Sequence, residues 1–143
     1  MEETVHPPQA GPRVLGAVID VAAGAYTSIT EITAPSSAMA GDTVDIVVRV
    51  KNLSTYSFYI AVTASYDGVT IPITPDYQSV NPGAIGVYNG SFTMPNKSIT
   101  LDVWSFYWTG TEWYQDDHSA VSISLLTLTP QFHGFAIAQY NKV

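Results

Sequence analysis

The chain has 143 residues, enough for one domain of ordinary size with short extensions. Charged residues make up only 12% and apolar residues 46%, which excludes a disordered chain and a charge-rich coiled coil. Twelve acidic residues against five scattered basic ones exclude binding to nucleic acid by phosphate neutralisation, and the absence of cysteine excludes disulfides, iron–sulfur clusters and thiol nucleophiles.

In chain order, Met1–Gly24 reads as an N-terminal arm rich in Pro, Gly and Ala. It opens on Glu2 and Glu3 and carries Pro7, Pro8 and Pro12. A secretory signal needs a basic start and an apolar core, so none is expected in this chain. Within the arm, Val14–Val21 is apolar and interrupted by Asp20. No stretch reaches the roughly 18 uninterrupted apolar residues of a membrane helix, so no membrane insertion is expected, and a polybasic membrane patch is missing too.

Ala25–Leu128 reads as a strand-rich body. Ser28–Thr33 is a short strand ended by Pro35. In Thr43–Asn52, Val44, Ile46, Val48 and Val50 alternate with Asp45, Arg49 and Lys51, the period of a half-buried strand. Tyr56–Tyr66 repeats that alternation, and Asp67-Gly68 predicts a type I′ hairpin turn into a return strand over Val69–Thr74. Pro72 cannot donate to a ladder and places that return strand at a sheet edge. After the turn Asn81-Pro82-Gly83, strands follow at Val87–Met94 and Ile99–Trp108. Thr109-Gly110 bends the chain into a strand at Thr111–Gln115, and the last strand is Ala120–Leu128. Thr129–Val143 is a short C-terminal tail. Seven or eight strands at this spacing, with no helical period, predict an all-β fold, an immunoglobulin-like antiparallel β-sandwich.

Several short stretches carry a resemblance: Ile32-Thr33-Ala34-Pro35, Ala40-Gly41-Asp42-Thr43 and Val48-Arg49-Val50-Lys51-Asn52, then Val80-Asn81-Pro82-Gly83, Gly90-Ser91-Phe92-Thr93-Met94-Pro95 and Tyr107-Trp108-Thr109-Gly110-Thr111-Glu112-Trp113. With them the body resembles immunoglobulin-like domains of the CARDB type, over about residues 28–126. Such domains recur in bacterial and archaeal surface proteins and as small viral structural proteins. The resemblance implies a fold, with no shared catalytic residues. Gly41-Asp42 would turn the chain into the second strand, Asn52 would end that strand, and Phe92 and Met94 would plug the core.

Few constellations point to chemistry. Asp116-Asp117-His118, with Asp76 or Glu112, offers oxygens for a calcium site. Neighbouring carboxylates on a strand point to opposite sides, so the competing reading is a set of solvated turn charges. His6, His118 and His133 stand at no metal-ligand spacing, and no Gly-x-Ser-x-Gly elbow is present. No catalytic residue, cofactor or metal is nominated. Trp104, Phe106, Tyr107, Trp108, Trp113 and Tyr114 crowd one predicted hairpin. Trp104, Trp108 and Trp113 are a candidate aromatic surface, with three open readings: core packing, a protein interface or a sugar platform.

The arm and tail supply candidate interface residues: Val14, Leu15, Val18, Ile19 and Val21, then Phe132, Phe135, Ile137 and Tyr140. Either each extension covers an edge of its own sheet, or it reaches a neighbouring molecule. The expectation is a non-enzymatic structural protein that assembles with itself or with a major shell protein. A virion subunit such as a capsid decoration or cement protein is its most concrete form. The alternative is an extracellular, cell-surface adhesion or carbohydrate-binding module.

Overall fold

The computed structural model describes residues 24–128. Ten strands follow in chain order: β1 (Thr27–Thr33), β2 (Ser37–Ala38), β3 (Thr43–Asn52), β4 (Phe58–Tyr66), β5 (Val69–Ile71), β6 (Ile73–Thr74), β7 (Gln78–Val80), β8 (Ile85–Thr93), β9 (Ile99–Trp108) and β10 (Trp113–Leu125). They form two sheets, one ordered β1-β3-β8-β6 and the other β2-β10-β9-β4-β5, with β7 also on β4. The architecture is the immunoglobulin-like sandwich that the strand spacing predicts. Pairing is antiparallel throughout except where β2 runs parallel to β10. β1 and β2 are one stretch of chain divided between the sheets, so it flanks an edge of each.

Alternation builds the core. Val44, Ile46, Val48 and Val50 of β3 are buried, while Thr43, Asp45 and Lys51 between them are exposed. They meet Ile60, Val62 and Ala64 of β4, Leu101 and Val103 of β9, and Ile123 of β10. Each fully buried Val, Leu or Ile contributes about 1.5–3 kcal/mol relative to exposure. Tyr88 of β8 crosses the sandwich, and its hydroxyl donates to the Ile60 carbonyl at 2.6 Å. Burial pushes its phenol well above the usual tyrosine range.

Two sequence expectations need correction. Val69–Thr74 is not one edge strand. β5 pairs with β4, whereas β6 pairs with β8 in the other sheet, so the chain changes sheets at Pro72. Proline suits that position because no ladder bond is asked of it. Gly90, opposite Ile73, makes the room: a Cβ there would lie 2.8 Å from Ile73 Cδ1 and 3.1 Å from the Pro72 carbonyl. Asp67 and Gly68 both have positive φ, at 46° and 79°, as a type I′ turn requires.

Likewise, Thr111–Gln115 and Ala120–Leu128 belong to one strand, β10. The register breaks between Gln115 and His118, leaving Asp116 and Asp117 as a bulge. These acids therefore sit inside a strand and not in a turn.

The pairings also set the poles. β1 begins where β3 ends, and near there β4 begins and β9 ends. β10 runs from that pole to the opposite one, where Leu126 N–H donates to the Ala38 carbonyl at 2.8 Å. The described chain thus starts at one pole and stops at the other.

Candidate functional site

At the pole where the chain starts, the larger sheet extends past the smaller one. Thr27 and Asn52 form the last rung between β1 and β3. Phe58 of β4, Tyr107 of β9 and Tyr114 of β10 continue the inward-facing rows beyond that rung, with no second sheet above them among the described residues. Tyr26 lies over them instead. Its ring centroid is 4.8 Å from that of Tyr107 and 6.4 Å from that of Phe58. Phe58 stacks on Tyr107 at 5.7 Å, and Tyr107 leans on Tyr114 at 5.8 Å.

From this cluster an open cleft of about 500 Å³ extends between the β3–β4 loop (Ser54, Tyr56, Ser57) and the β9–β10 turn (Thr109, Gly110), with Tyr59 and Trp108 at its side. None of its lining residues carries a formal charge. Tyr56 is 74% exposed and Tyr26 42%, so large aromatic surface faces solvent here. Tyrosine suits such a place because the ring offers apolar contact and the hydroxyl stays wet. Burial, helped by the neighbouring Asp116 charge, raises the Tyr107 phenol above its usual range.

The cleft wall is held by the bulge. Asp116 accepts hydrogen bonds from the backbone N–H groups of Ala25 at 2.9 Å, Tyr26 at 3.1 Å and Thr27 at 2.6 Å. The Thr27 hydroxyl donates to the same carboxylate at 2.5 Å. Gly24 packs so closely on Asp116 that a Cβ would collide with the carboxylate. Asp117, only 3% exposed, accepts from Ile29 N–H at 2.7 Å and His118 N–H at 2.9 Å. Asp117 N–H donates to Ser105 Oγ at 2.9 Å, and Ser105 contacts the Thr27 hydroxyl at 2.7 Å. Because Thr27 Oγ1 gives its proton to Asp116, Ser105 must be the donor in that contact. Burial raises the Asp117 carboxyl above its ordinary range, although the two amides pull the other way.

The acidic pair is thus a staple between β10 and β1, and the expectation of solvated turn charges is corrected. The bulge also removes the objection that neighbouring carboxylates point apart, since both reach β1. Their oxygens accept from the amides of Ala25, Tyr26 and Thr27 and from those of Ile29 and His118. Glu112 accepts from the Tyr114 hydroxyl at 2.7 Å. Among the described residues, no group of three or more His, Asp or Glu is placed to hold a metal.

The tryptophans fall elsewhere. Ala61, Phe106 and Trp113 form a small second core on the outer face of the larger sheet, with Tyr77, Trp104 and Trp108 packed against it. Trp113 is buried, which corrects its assignment to an aromatic surface. Trp108 and Trp113 meet at 58°, so they do not form a flat platform. Trp104 stacks on His118 at 4.1 Å, and His118 Nε2 lies 3.1 Å from Asp102 Oδ1. Only Trp108 of the three also borders the cleft.

The sequence reading missed Tyr26, Tyr56, Phe58 and Tyr59 as parts of one site. The available signal was the run Tyr56-Ser57-Phe58-Tyr59, apolar on both parities at a strand start. Val14, Leu15, Val18, Ile19, Val21, Phe132, Phe135, Ile137 and Tyr140 lie outside the described residues.

No family model and no curated protein matches the chain. Solved structures do. The CARDB domain of a Pyrococcus furiosus protein, solved in complex with di-metal ions, is 14% identical with a TM-score of 0.55. It aligns over 77% of this chain and 95% of that one. Native alpha-2-macroglobulin of Escherichia coli, from domain MG7 to the C-terminus, is 13% identical with a TM-score of 0.51, over 69% of this chain and 16% of that one. A chain from the human seminal-plasma complex of zinc 2-glycoprotein with prolactin-inducible protein is 8% identical at 0.50, over 72% and 96%. The body therefore has an immunoglobulin-like β-sandwich fold, similar to that of a CARDB domain. At these identities the likeness speaks for the fold alone.

Proposed function

We propose that this protein is a non-enzymatic assembly subunit whose sandwich is a protein-interaction domain. The observation that carries the reading is the uncharged, tyrosine-lined cleft at the pole where the chain starts. Exposed Tyr and Trp are the residue types on which binding energy concentrates at protein interfaces. They contribute large contact area while losing few rotamers. The staple from Asp116 supports the reading as well, because it holds Tyr26 in place before any partner arrives. The partner is another copy of this chain, a major shell protein, or both. A capsid decoration or cement protein of a virion is the most concrete form of this role, with the virion as its location.

Sedimentation velocity of the full chain over a wide concentration range tests it, alone and with candidate shell proteins. Concentration-dependent assembly or shell binding is the expected result. A monomer at every concentration that binds no shell overturns the reading.

A second reading has one specific observation behind it: Tyr56 and Tyr26 expose ring surface at the cleft, and exposed aromatic faces also stack on sugar rings. An extracellular adhesion or carbohydrate-binding module would show changes in aromatic fluorescence on titration with oligosaccharides. These changes would be lost in Tyr26→Ala and Tyr56→Ala.

A further inference from the structure

We propose that the aromatic cleft receives the C-terminal segment Phe132–Tyr140 of a second copy, so that subunits join pole to pole, head to tail. The inference rests on the assembly reading and names its partner surface. Three observations lead to it.

The first is position. The cleft lies at the pole where β9 ends and β10 begins, whereas the chain leaves the sandwich after β10 at the opposite pole. β10 has 13 residues, so the poles are roughly 40 Å apart at about 3.3 Å per residue.

The second is reach. Leu126 is pinned at the far pole by its bond to the Ala38 carbonyl. From there Phe132 can extend at most about 22 Å and Phe135 about 32 Å, at about 3.6 Å per residue. Neither covers the length of its own sandwich. Both reach the cleft of a neighbour that presents its starting pole to this one. Cis docking of the Phe132 ring is thus excluded by chain length, and a second copy is the remaining host within this protein for the segment that begins with it.

The third is chemistry. Between Thr129 and Tyr140 there is no Asp, Glu, Lys or Arg, and Phe132, Phe135, Ile137 and Tyr140 supply apolar bulk. That matches a cleft without formal charge. The N-terminal arm fits less well, since it brings Glu2, Glu3, Arg13 and Asp20. Three buried aromatic rings supply roughly 450–750 Å² of contact, close to one partner's share of an ordinary specific interface. Exposed Leu126 and Leu128 extend the apolar surface at the departing pole. A cleft at one pole and its ligand at the other make a heterologous contact, which propagates into rings or filaments and does not stop at a two-fold dimer.

The experiment uses three full-length chains in sedimentation velocity. The cleft variant carries Tyr26→Ala and Tyr56→Glu, both at exposed side chains; Tyr56→Glu alone serves if the pair lowers the melting temperature. The tail variant carries Phe132→Ser and Phe135→Ser. The wild type should form a concentration-dependent series of species. Each variant alone should be monomeric, with at least a tenfold loss of association. Mixing the two should restore a heterodimer and nothing larger, because one variant keeps an intact tail and the other an intact cleft. A wild type that assembles while the tail variant assembles equally well overturns the docking and leaves the assembly reading standing. Variants that are monomeric but do not complement overturn the head-to-tail geometry. A wild type that stays monomeric overturns the docking, and failure to bind a shell protein then removes the assembly reading with it.

Discussion

Two aromatic groups lie within one hairpin and its neighbours, and they have opposite fates. On the outer face of the larger sheet, Phe106 and Trp113 are buried because Tyr77 and the rings of Trp104 and Trp108 close over them. At the pole, Phe58, Tyr107 and Tyr114 are built from the same kinds of residue but, among the described residues, have only Tyr26 above them. Whether an aromatic becomes core or surface is therefore settled by what covers it. The outer cluster stabilises the fold, whereas the cluster at the pole keeps large aromatic surface exposed.

The sharpest way to break this contrast is Phe106→Ala. It empties the centre of the outer cluster and should lower stability by about 3–5 kcal/mol in urea denaturation. A loss below about 1 kcal/mol would mean the outer cluster is not core. Next comes the staple. Asp117→Ala leaves the Ile29 N–H without its carboxylate and should cost about 1.5–3 kcal/mol.

Asp117 also predicts a pH dependence. Its folded-state carboxyl is raised above the ordinary 3.8, so the folded chain holds this proton more tightly than the unfolded chain. That contribution to stability is complete below pH 3.8 and is lost as pH rises through the raised value. The stability deficit of Asp117→Asn relative to wild type should therefore shrink as pH climbs from 3.8 to the raised value and level off above it. A deficit that grows instead contradicts burial as the dominant influence on this carboxyl.

Uncovering the outer cluster is a smaller change. Tyr77 contacts Tyr59 edge-on at 5.3 Å and Trp113 at 6.0 Å. Tyr77→Ala should cost about 1–3 kcal/mol, at about 0.5–1.5 kcal/mol for each ring pair, and should shift tryptophan emission to longer wavelength as Trp113 meets water. The smallest effect on folding belongs to the cleft. Tyr56→Ala should leave stability within about 0.5 kcal/mol of wild type while weakening self-association. Equal behaviour of Tyr56→Ala and Tyr77→Ala in both assays would erase the distinction between the two regions.

Much of this fold was readable in advance from alternation. Val44 to Val50 and Ile99 to Val103 keep their parity over long enough runs to declare an inward face. The bulge was not readable. Asp116-Asp117 shifts the phase of β10, so the residues on either side look like separate strands around a polar turn. Pro72 was legible as a ladder breaker, but not as the point where the chain changes sheets, because the same residue serves both ends. The cleft left the weakest trace. It draws on Tyr26, on Ser54 to Tyr59 and on Tyr107 to Gly110, which no local period connects.

The amino-acid sequence alone determined that this is a β-sandwich with an acidic, weakly charged surface, since period-two burial and turn chemistry are local properties of the chain. The tertiary structure decided which aromatics stay open, that two neighbouring aspartates serve as a clamp, and that the two extensions attach at opposite poles. Those outcomes depend on which distant segments come to lie over a given ring or carboxylate, and coverage of that kind is written only in three dimensions.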